Sequence, residues 1–318
     1  MIKERKIIIS GKYKPLRLDQ FLKAEFPFLS RGYIKKTIKR ENILVNNKVG
    51  RKGDVLKQGD LVYIKEILSP KDIQLEPNPN LPINIIYEDK DIIVIDKPSG
   101  IPSHPIDFEE NNTVANFLIA EFSELMDVGE KPLEPGMVHR LDTNTSGLIL
   151  IARNEKAFEK LKYDQQQGKI IKEYLALVIG GVKEGWKIGS YIGHHPKDER
   201  KMKVFSAKDE IQKYKAKKAR TLFEVDKRYN GYTLLKVRIE KGLMHQIRVH
   251  LASTGHPIAG DKLYQTKRFR KLDVTGLERQ FLHASGLEFY HPLTGKYAKF
   301  SSQVPKELGK VLRNLKYI

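Results

Sequence analysis

The pattern of apolar and polar residues divides the chain into three parts. Over residues 1–68, two segments with apolar residues at helical spacing, 17–26 and 31–40, are followed by short apolar runs that predict strands. Residues 69–82 contain four prolines, which exclude a helix and predict a linker between domains. From residue 83 to residue 318, apolar runs bounded by turn residues predict a larger, strand-rich domain.

The second predicted helix presents two different faces. Ser30 precedes it and is a favourable N-cap residue. Ile34, Thr37 and Ile38 would face inward. The other face would be basic and is formed by Arg31, Lys35, Lys36, Lys39 and Arg40. This face is either a phosphate-binding surface or an ordinary solvated helix face.

Hairpins are the commonest connection predicted for the larger domain. Asn230-Gly231, between apolar runs, is a strong hairpin signal. Predicted strands cover residues 83–87, 92–96, 170–179, 220–228, 233–240, 287–290 and 297–301. Predicted helices cover residues 113–122, 154–166 and 244–254. Because strands dominate and hairpins join them, we expect an α+β protein with a mixed, mainly antiparallel sheet flanked by helices.

Charge narrows the classes of partner. The 58 Lys and Arg against 39 Asp and Glu give a net charge of +19, and residues 1–68 alone carry +10. Such a balance favours a polyanion, either nucleic acid or an anionic membrane surface. With no cysteine, a disulfide, a thiolate zinc site and a cysteine nucleophile are excluded. No signal peptide or membrane span is predicted, and we expect a cytoplasmic protein.

A polar loop stands directly before one of the strongest apolar runs. The sequence HRLDTNTSG at residues 139–147 leads into LILIA at 148–152, which predicts a reactive loop carried by a buried strand. Alone, this loop favours an ordinary polar turn that contains one acidic residue. Three later segments accompany it: KEYLALV at 172–178, GLMHQIRVHL at 242–251 with GHPIAGD at 255–261, and FLHA at 281–284.

In this order, the four motifs resemble those of RluA-type pseudouridine synthases. Residues 14–68 resemble the S-four-like RNA-binding domain of a ribosomal protein, through RLD at 17–19, LSR at 29–31, ILVN at 43–46, KV at 48–49 and GD at 59–60. The resemblance implies an S-four-like domain over 1–68, a linker over 69–82 and a catalytic domain over 83–318. The sequence departs from the common pattern of this family at Leu243-Met244 and at Gln265.

The resemblance also implies roles for individual residues. Asp142 would be the catalytic carboxylate, Arg248 its ion-pair partner and Tyr174 the residue against the uracil face. Arg140 would enter the RNA stack vacated by the target uridine, and Leu282 would line the pocket. His139 and Thr145 of the same loop are expected to contact the substrate. Whether Asp142 attacks the sugar or removes a sugar proton stays open.

The same resemblance implies isomerisation of uridine to pseudouridine, which needs no redox cofactor. No metal is expected, because two histidines never fall on one helix face beside a carboxylate. The expected partner is structured RNA, with ribosomal RNA favoured over transfer RNA. We also expect a monomer without an obligate protein partner. Two alternatives remain: a catalytically silent RNA-binding assembly factor, and a glycoside hydrolase that pairs Asp142 with Asp261.

Overall fold

The computed structural model describes residues 1–11, 15–69, 72, 74–106 and 109–316. Its strands are β1 (Ile2–Ile8), β2 (Leu16–Arg17), β3 (Ile43–Val45), β4 (Lys48–Val49), β5 (Val55–Leu56), β6 (Leu61–Ile67), β7 (Asn84–Glu88), β8 (Ile92–Lys97), β9 (Ser146–Ala152), β10 (Ile171–Ile179), β11 (Trp186–His195), β12 (Asp198–Phe205), β13 (Lys217–Tyr229), β14 (Tyr232–Ile239), β15 (Leu282–Tyr290) and β16 (Tyr297–Ser301). Its helices are α1 (Leu18–Glu25), α2 (Arg31–Lys39), α3 (Val114–Glu121), α4 (Glu155–Gln167), α5 (Lys208–Lys213), α6 (Gln246–Ser253), α7 (Lys267–Leu272) and α8 (Lys306–Asn314), with a 3-10 helix at Ser123–Asp127.

The first 67 residues form a small sheet with two helices. The sheet has the order β1-β6-β3-β4, and α1 and α2 pack on it through a core that includes Phe21 and Ile34. Ser30 caps α2 as predicted, because its Oγ accepts a hydrogen bond of 3.0 Å from the backbone N–H of Tyr33. The five basic residues predicted for the outer face of α2 are all exposed. Lys14, in the segment that resembles an S-four-like domain, lies outside the described residues.

A ten-stranded sheet forms the larger part of the molecule. Along it the strands run β12-β11-β13-β14-β10-β15-β9-β8-β7, and β16 pairs with β15. The pairings are antiparallel except for β9 with β15, so the expected mixed, mainly antiparallel α+β fold is confirmed. The predicted hairpin around Asn230-Gly231 is present as β13 and β14.

The parallel pair depends on one glycine. Gly147 lies opposite Ala284, with φ +116°, and a Cβ at this position would be 2.2 Å from the Ala284 carbonyl oxygen. Only glycine combines this backbone conformation with so close an approach. The strand therefore begins at Ser146 and includes Gly147, whereas the sequence pattern placed the glycine before the strand.

Several elements were not predicted. Strand β1 was missed because charged residues interrupt its apolar pattern, and its structure comes from antiparallel pairing with β6. The hairpin β11–β12 and helices α5, α7 and α8 were also missed. The predicted start of α6 at residue 244 was wrong, because His245 has φ +54° and the helix begins at Gln246. The buried side of α6 includes two polar residues, Gln246 and His250.

The described part of the predicted linker lies against the larger sheet's helices. Leu75 is buried in the main core, and Asn116 of α3 donates a hydrogen bond of 2.8 Å to the Glu76 carbonyl. Within 69–82, Pro70, Lys71 and Ile73 fall outside the described residues. The small sheet's helix α2 contacts the larger part through Glu109, which lies 3.2 Å from Lys36 and 3.3 Å from Arg40. In the described ranges, no helix is long and apolar enough to cross a membrane.

Candidate active site

A cavity of about 890 Å³ lies where the loop before β9 meets β10 and the start of α6. Its wall includes every residue predicted for the catalytic site, namely Asp142, Arg248, Tyr174, Arg140, Leu282, His139 and Thr145. The basic residues of α2 are not part of this wall. The folded chain thus brings together motifs that lie up to 143 residues apart, from His139 to Leu282.

Asp142 is the carboxylate of the cavity wall that pairs with Arg248. Its side chain is 25% exposed, and Arg248 Nη1 donates a hydrogen bond of 2.8 Å to its Oδ2. The expected ion pair is therefore confirmed. Among the described residues, none donates a hydrogen bond to Oδ1 of Asp142, so this oxygen is available to a substrate.

Arg248 is fixed by a second carboxylate on its other edge. Its Nε and Nη2 donate to the two carboxylate oxygens of Asp261, at 2.8 and 2.9 Å. Burial disfavours the guanidinium charge, but the hydrogen bonds and attraction from Asp261 and Asp142 raise the pKa of Arg248. Asp261 is 1% exposed and its oxygens are occupied, so it does not face Asp142 across a substrate. This geometry does not fit the two-carboxylate arrangement of a glycoside hydrolase.

Tyr174 and Leu282 supply an aromatic and an apolar surface to the same cavity. Tyr174 lies on β10 and is 5% exposed, while Leu282 begins β15 and is 4% exposed. Burial and the nearby Asp142 carboxylate raise the pKa of the Tyr174 phenol, so it stays protonated at neutral pH. A neutral aromatic ring beside a carboxylate offers a stacking face to a planar base.

His139 and Thr145 form hydrogen bonds that hold the loop in place. His139 Nε2 accepts a hydrogen bond of 3.0 Å from the backbone N–H of Leu150 on β9. Burial, with a smaller effect from Lys172, lowers the pKa of His139 to about 3, so the imidazole is neutral. Thr145 Oγ1 accepts from Gln280 Nε2 at 3.1 Å. Both residues line the cavity, and these bonds give them a role in shaping the loop.

Arg140 lies at the exposed edge of the cavity. Its side chain is 52% exposed, and its guanidinium lies 3.1 Å from His104 Nε2 and 3.7 Å from a Glu134 oxygen. These partners are themselves at the cavity wall. Arg140 is therefore held by a polar contact at the cavity edge and not by the core.

Lys97 lies at the end of β8, close to the loop that contains Asp142. Its side chain is completely buried, and its Nζ donates hydrogen bonds to the carbonyls of Pro98, Ile101 and Thr143 at 2.7 to 2.9 Å. Thr143 follows Asp142, so this lysine ties the catalytic loop to the end of β8. Burial lowers the pKa of Lys97 to about 7, with Arg279 acting in the same direction. The Lys-Pro-Ser-Gly sequence alone contained no signal for this contact.

One cluster outside the cavity has the composition of a metal site. Asp89, Asp91 and His291 place ligand atoms within 4.8 Å of one another. His291 Nδ1, however, accepts from the backbone N–H of Thr294 at 3.1 Å. Its Nε2 therefore carries the proton and donates to Asp89 Oδ2 at 3.0 Å. The cluster joins two turns by hydrogen bonds.

Comparison with known proteins agrees with this geometry. The family described as RNA pseudouridylate synthase matches residues 91–253. An uncharacterized RNA pseudouridine synthase of Aquifex aeolicus (strain VF5) is 39% identical over 93% of this chain and 92% of its own length. The ribosomal large subunit pseudouridine synthase D of Xanthomonas campestris pv. campestris is 32% identical over 98% of this chain and 92% of its own length.

A solved structure shows the same fold. Human RNA Pseudouridylate Synthase Domain Containing 1 superposes with a TM-score of 0.55 at 22% identity, over 77% of this chain and all of the human chain. The sequence matches extend over both the small sheet and the large one. The chain therefore belongs to the RNA pseudouridylate synthase family.

Proposed function

We propose that this RNA pseudouridine synthase modifies specific uridines of large-subunit ribosomal RNA, with Asp142 as its catalytic carboxylate. The observation that carries the proposal is the state of Asp142, which lines a cavity of about 890 Å³ and whose Oδ2 is bound by Arg248, while Oδ1 accepts no hydrogen bond from a described residue. A cavity of this size can hold a nucleotide. Support for ribosomal RNA comes from relatives named as large-subunit synthases and from the basic face of α2.

The reaction requires an ionised carboxylate beside an extruded base. The bond between N1 of uracil and C1′ of the sugar breaks, the base turns, and C5 bonds to C1′. The C5 proton then leaves to solvent and N1 takes up a proton, so the product is an isomer of uridine. No atom is oxidised or reduced. Asp142 serves either as the nucleophile at the sugar or as a base, and both routes use a free carboxylate oxygen. Arg248 places its positive charge 2.8 Å from Oδ2 and leaves Oδ1 free for either route.

Base flipping gives the remaining residues their proposed roles. A uridine inside folded RNA must leave its stack before it can reach Asp142. Arg140 is exposed at the cavity edge, so its side chain can occupy the vacated position. Tyr174 then lies against the flipped uracil, and Leu282 covers the apolar part of the pocket.

We further propose a division of labour between two domains. Residues 1–68 carry a net charge of +10 and expose five basic residues on α2, while the cavity is built from residue 102 onward. Phosphate contacts fix register and orientation, whereas chemistry belongs to the cavity. In this proposal the protein acts as a monomer in the cytoplasm on ribosomal RNA; transfer RNA is the alternative substrate.

The test of the catalytic role is the variant Asp142→Asn, which preserves shape and removes the charge. We expect no release of tritium from uridine labelled at C5, with RNA affinity retained. Glu110→Gln is the matched control, because it neutralises another carboxylate of the cavity wall and should stay active. Turnover of Asp142→Asn within about tenfold of the parent protein, a barrier difference of about 1.4 kcal/mol, would assign the chemistry to another residue.

The substrate is tested by mapping pseudouridine in ribosomal and transfer RNA from cells that lack the protein. We expect sites in large-subunit ribosomal RNA to disappear and to return with the parent gene but not with Asp142→Asn. Loss confined to transfer RNA would overturn the ribosomal proposal and leave the enzyme class intact.

A further inference from the structure

His245 occupies a strained position at the edge of the active site. It stands directly before α6 with φ 54° and ψ 19°, a left-handed conformation that is uncommon for residues other than glycine. Its side chain is only 12% exposed and lines the cavity. Strained residues persist where surrounding contacts hold them, and they cluster at functional sites. The contacts of this imidazole therefore require an explanation.

The two ring nitrogens of His245 face different partners. Nδ1 lies 3.0 Å from the Tyr264 hydroxyl. Nε2 lies 3.7 Å from Oδ2 of Asp142, the same oxygen that accepts from Arg248. The imidazole and the guanidinium thus approach one carboxylate oxygen, and the other oxygen is left to the cavity.

Hydrogen-bond partners decide which nitrogen carries the proton. The Tyr264 hydroxyl already accepts from the backbone N–H of Met202 at 2.8 Å, so its own hydrogen is available for Nδ1. Burial raises the pKa of Tyr264 to about 12, and the phenol therefore keeps this hydrogen at neutral pH. The opposite tautomer would direct the Nε2 lone pair at a carboxylate, which is repulsive. His245 consequently presents Nε2–H to Asp142.

The imidazole is neutral in this arrangement. Burial lowers the pKa of His245, and the charge of Arg248 and the neighbouring His194 act in the same direction. Asp142 and Asp261 oppose this shift. A neutral donor adds a hydrogen bond to Oδ2 without a second positive charge beside Arg248.

We propose that His245 is a positioning residue that, together with Arg248, holds Oδ2 of Asp142 and directs Oδ1 at the substrate. The proposal rests on the function proposed above. At 3.7 Å the contact is longer than a hydrogen bond, and closure of the site around RNA shortens it into one, as catalytic hydrogen bonds often tighten on substrate binding. Two donors to one oxygen fix the rotation of the carboxylate group, whereas a single donor leaves that rotation free.

Tyr264 connects this arrangement to the rest of the site. Its ring lies against the Arg248 guanidinium, 5.2 Å from ring centroid to Cζ, and its backbone N–H donates to Asp261. Its hydroxyl bonds to Met202 on β12, and Arg200 of the same hairpin lines the cavity. One tyrosine therefore orients both donors that meet Asp142.

A pair of variants separates positioning from folding. Asn is tolerated in the left-handed conformation and places its amide at the level of Nδ1, so His245→Asn loses the donor to Asp142. The longer His245→Gln returns an amide N–H to the level of Nε2. We expect His245→Asn to lower the single-turnover rate on the order of 10²-fold, since misplacement of a reacting group has effects of that size. His245→Gln should recover most of that rate.

RNA affinity and melting temperature should stay close to the parent values in both variants. Equal rates for His245→Asn and His245→Gln, or a parental rate for His245→Asn, would overturn the positioning role. Asp142→Asn is assayed beside them. If Asp142→Asn is inactive while His245→Asn is unchanged, only the positioning role fails. If Asp142→Asn is active, the proposed function fails as well.

Discussion

At the scale of single residues, the main feature of the cavity wall is a chain of three charged side chains. Arg248 joins the exposed carboxylate of Asp142 to the buried carboxylate of Asp261. The sequence predicted the first pair from motifs that resemble a known family, and the structure contains it. It did not predict Lys97 or His245, because their contacts with Thr143 and Asp142 join residues far apart in the chain and no local pattern encodes them.

The variant Arg248→Met tests how far the fold depends on this chain. It leaves Asp261 buried with only backbone donors, and breaking such a pair from one side costs about 3–5 kcal/mol. We expect that loss in the free energy of unfolding measured with urea, together with loss of turnover. Arg248→Lys is the control, since it retains the positive charge without the planar guanidinium. Its free energy of unfolding should fall between those of the parent and of Arg248→Met. A stability equal to that of the parent would contradict the role of Asp261 as a support.

Lys97 offers a second residue-scale prediction. Replacing it with Met removes the lysine donor from three carbonyls. The Thr143 carbonyl retains the backbone N–H of Gly100, whereas the carbonyls of Pro98 and Ile101 lose the donor they have in the structure. Unsatisfied buried acceptors cost about 1–3 kcal/mol each, and local relaxation should reduce the total to about 3 kcal/mol. We expect this loss in the free energy of unfolding and a lower turnover, because Thr143 adjoins Asp142. Lys156→Met, on the exposed side of α4, is the control and should change neither quantity. If Lys97→Met loses stability but keeps full activity, the loop that contains Thr143 is held by other contacts.

At the scale of elements, the catalytic loop is positioned by the parallel pairing of β9 with β15. The sequence pattern predicted the apolar run of β9, since short buried strands carry strong local signals. For β15 it predicted only residues 287–290, and it missed residues 283–284, which pair with β9. It could not predict that the two strands are neighbours, or that β11 and β12 exist, because strand pairing is a property of the whole sheet. Helix α6 begins two residues later than predicted, because the left-handed conformation of His245 is stabilised by contacts outside the helix.

Gly147→Ala tests the parallel pair. The added methyl group would meet the Ala284 carbonyl at 2.2 Å in a conformation that alanine rarely adopts. We expect β9 to shift, turnover to be lost and the melting temperature to fall by several degrees. Gly189→Ala in β11 is the matched control, because no atom lies within 4 Å of the added carbon. Two variants with the same melting temperature would show that β9 tolerates the side chain.

Helix α6 also carries a pH-dependent contribution to stability. His250 is fully buried between the hydroxyls of Ser190 and Thr221, at 2.9 and 2.8 Å. Burial lowers its pKa from 6.5 to about 4. Between these values the unfolded chain binds a proton that the folded protein does not, so stability falls as the pH falls. The slope is about 1.4 kcal/mol per pH unit for one histidine.

His250→Gln removes this titration and retains a polar side chain. We expect the free energy of unfolding of the parent to decline more steeply than that of the variant between pH 6.5 and pH 4. Urea unfolding at several pH values in this window measures the difference. Parallel profiles would mean that His250 takes up a proton in the folded protein.

At the scale of the whole molecule, charge is distributed unevenly between the two sheets. A triple variant tests this distribution, with Gln in place of Arg31, Lys35 and Lys39. It should bind RNA more weakly and keep the turnover of a short substrate at saturation. Each lost phosphate contact on single-stranded RNA makes the slope of log K against log salt about 0.7 shallower, or about 2 for three contacts. A salt titration of binding measures this change.

The control neutralises three exposed lysines of the larger part, Lys156, Lys296 and Lys310. It should leave the salt dependence close to that of the parent. An equal change in both triple variants would mean that RNA responds only to net charge. An unchanged slope for the α2 variant would mean that this helix face is merely solvated.

The pairing of Gly147 with Ala284 also has a consequence for biosynthesis. During synthesis, the catalytic loop leaves the ribosome long before the strand that supports it, and Leu282 of the same late strand completes the pocket wall. Long-range pairings of this kind form slowly, and domains fold as units once their strands are available. A nascent chain that ends before residue 282 has the 139–147 loop without the strand that pairs with Gly147. The cavity that contains Asp142 is therefore incomplete until β15 has been synthesised.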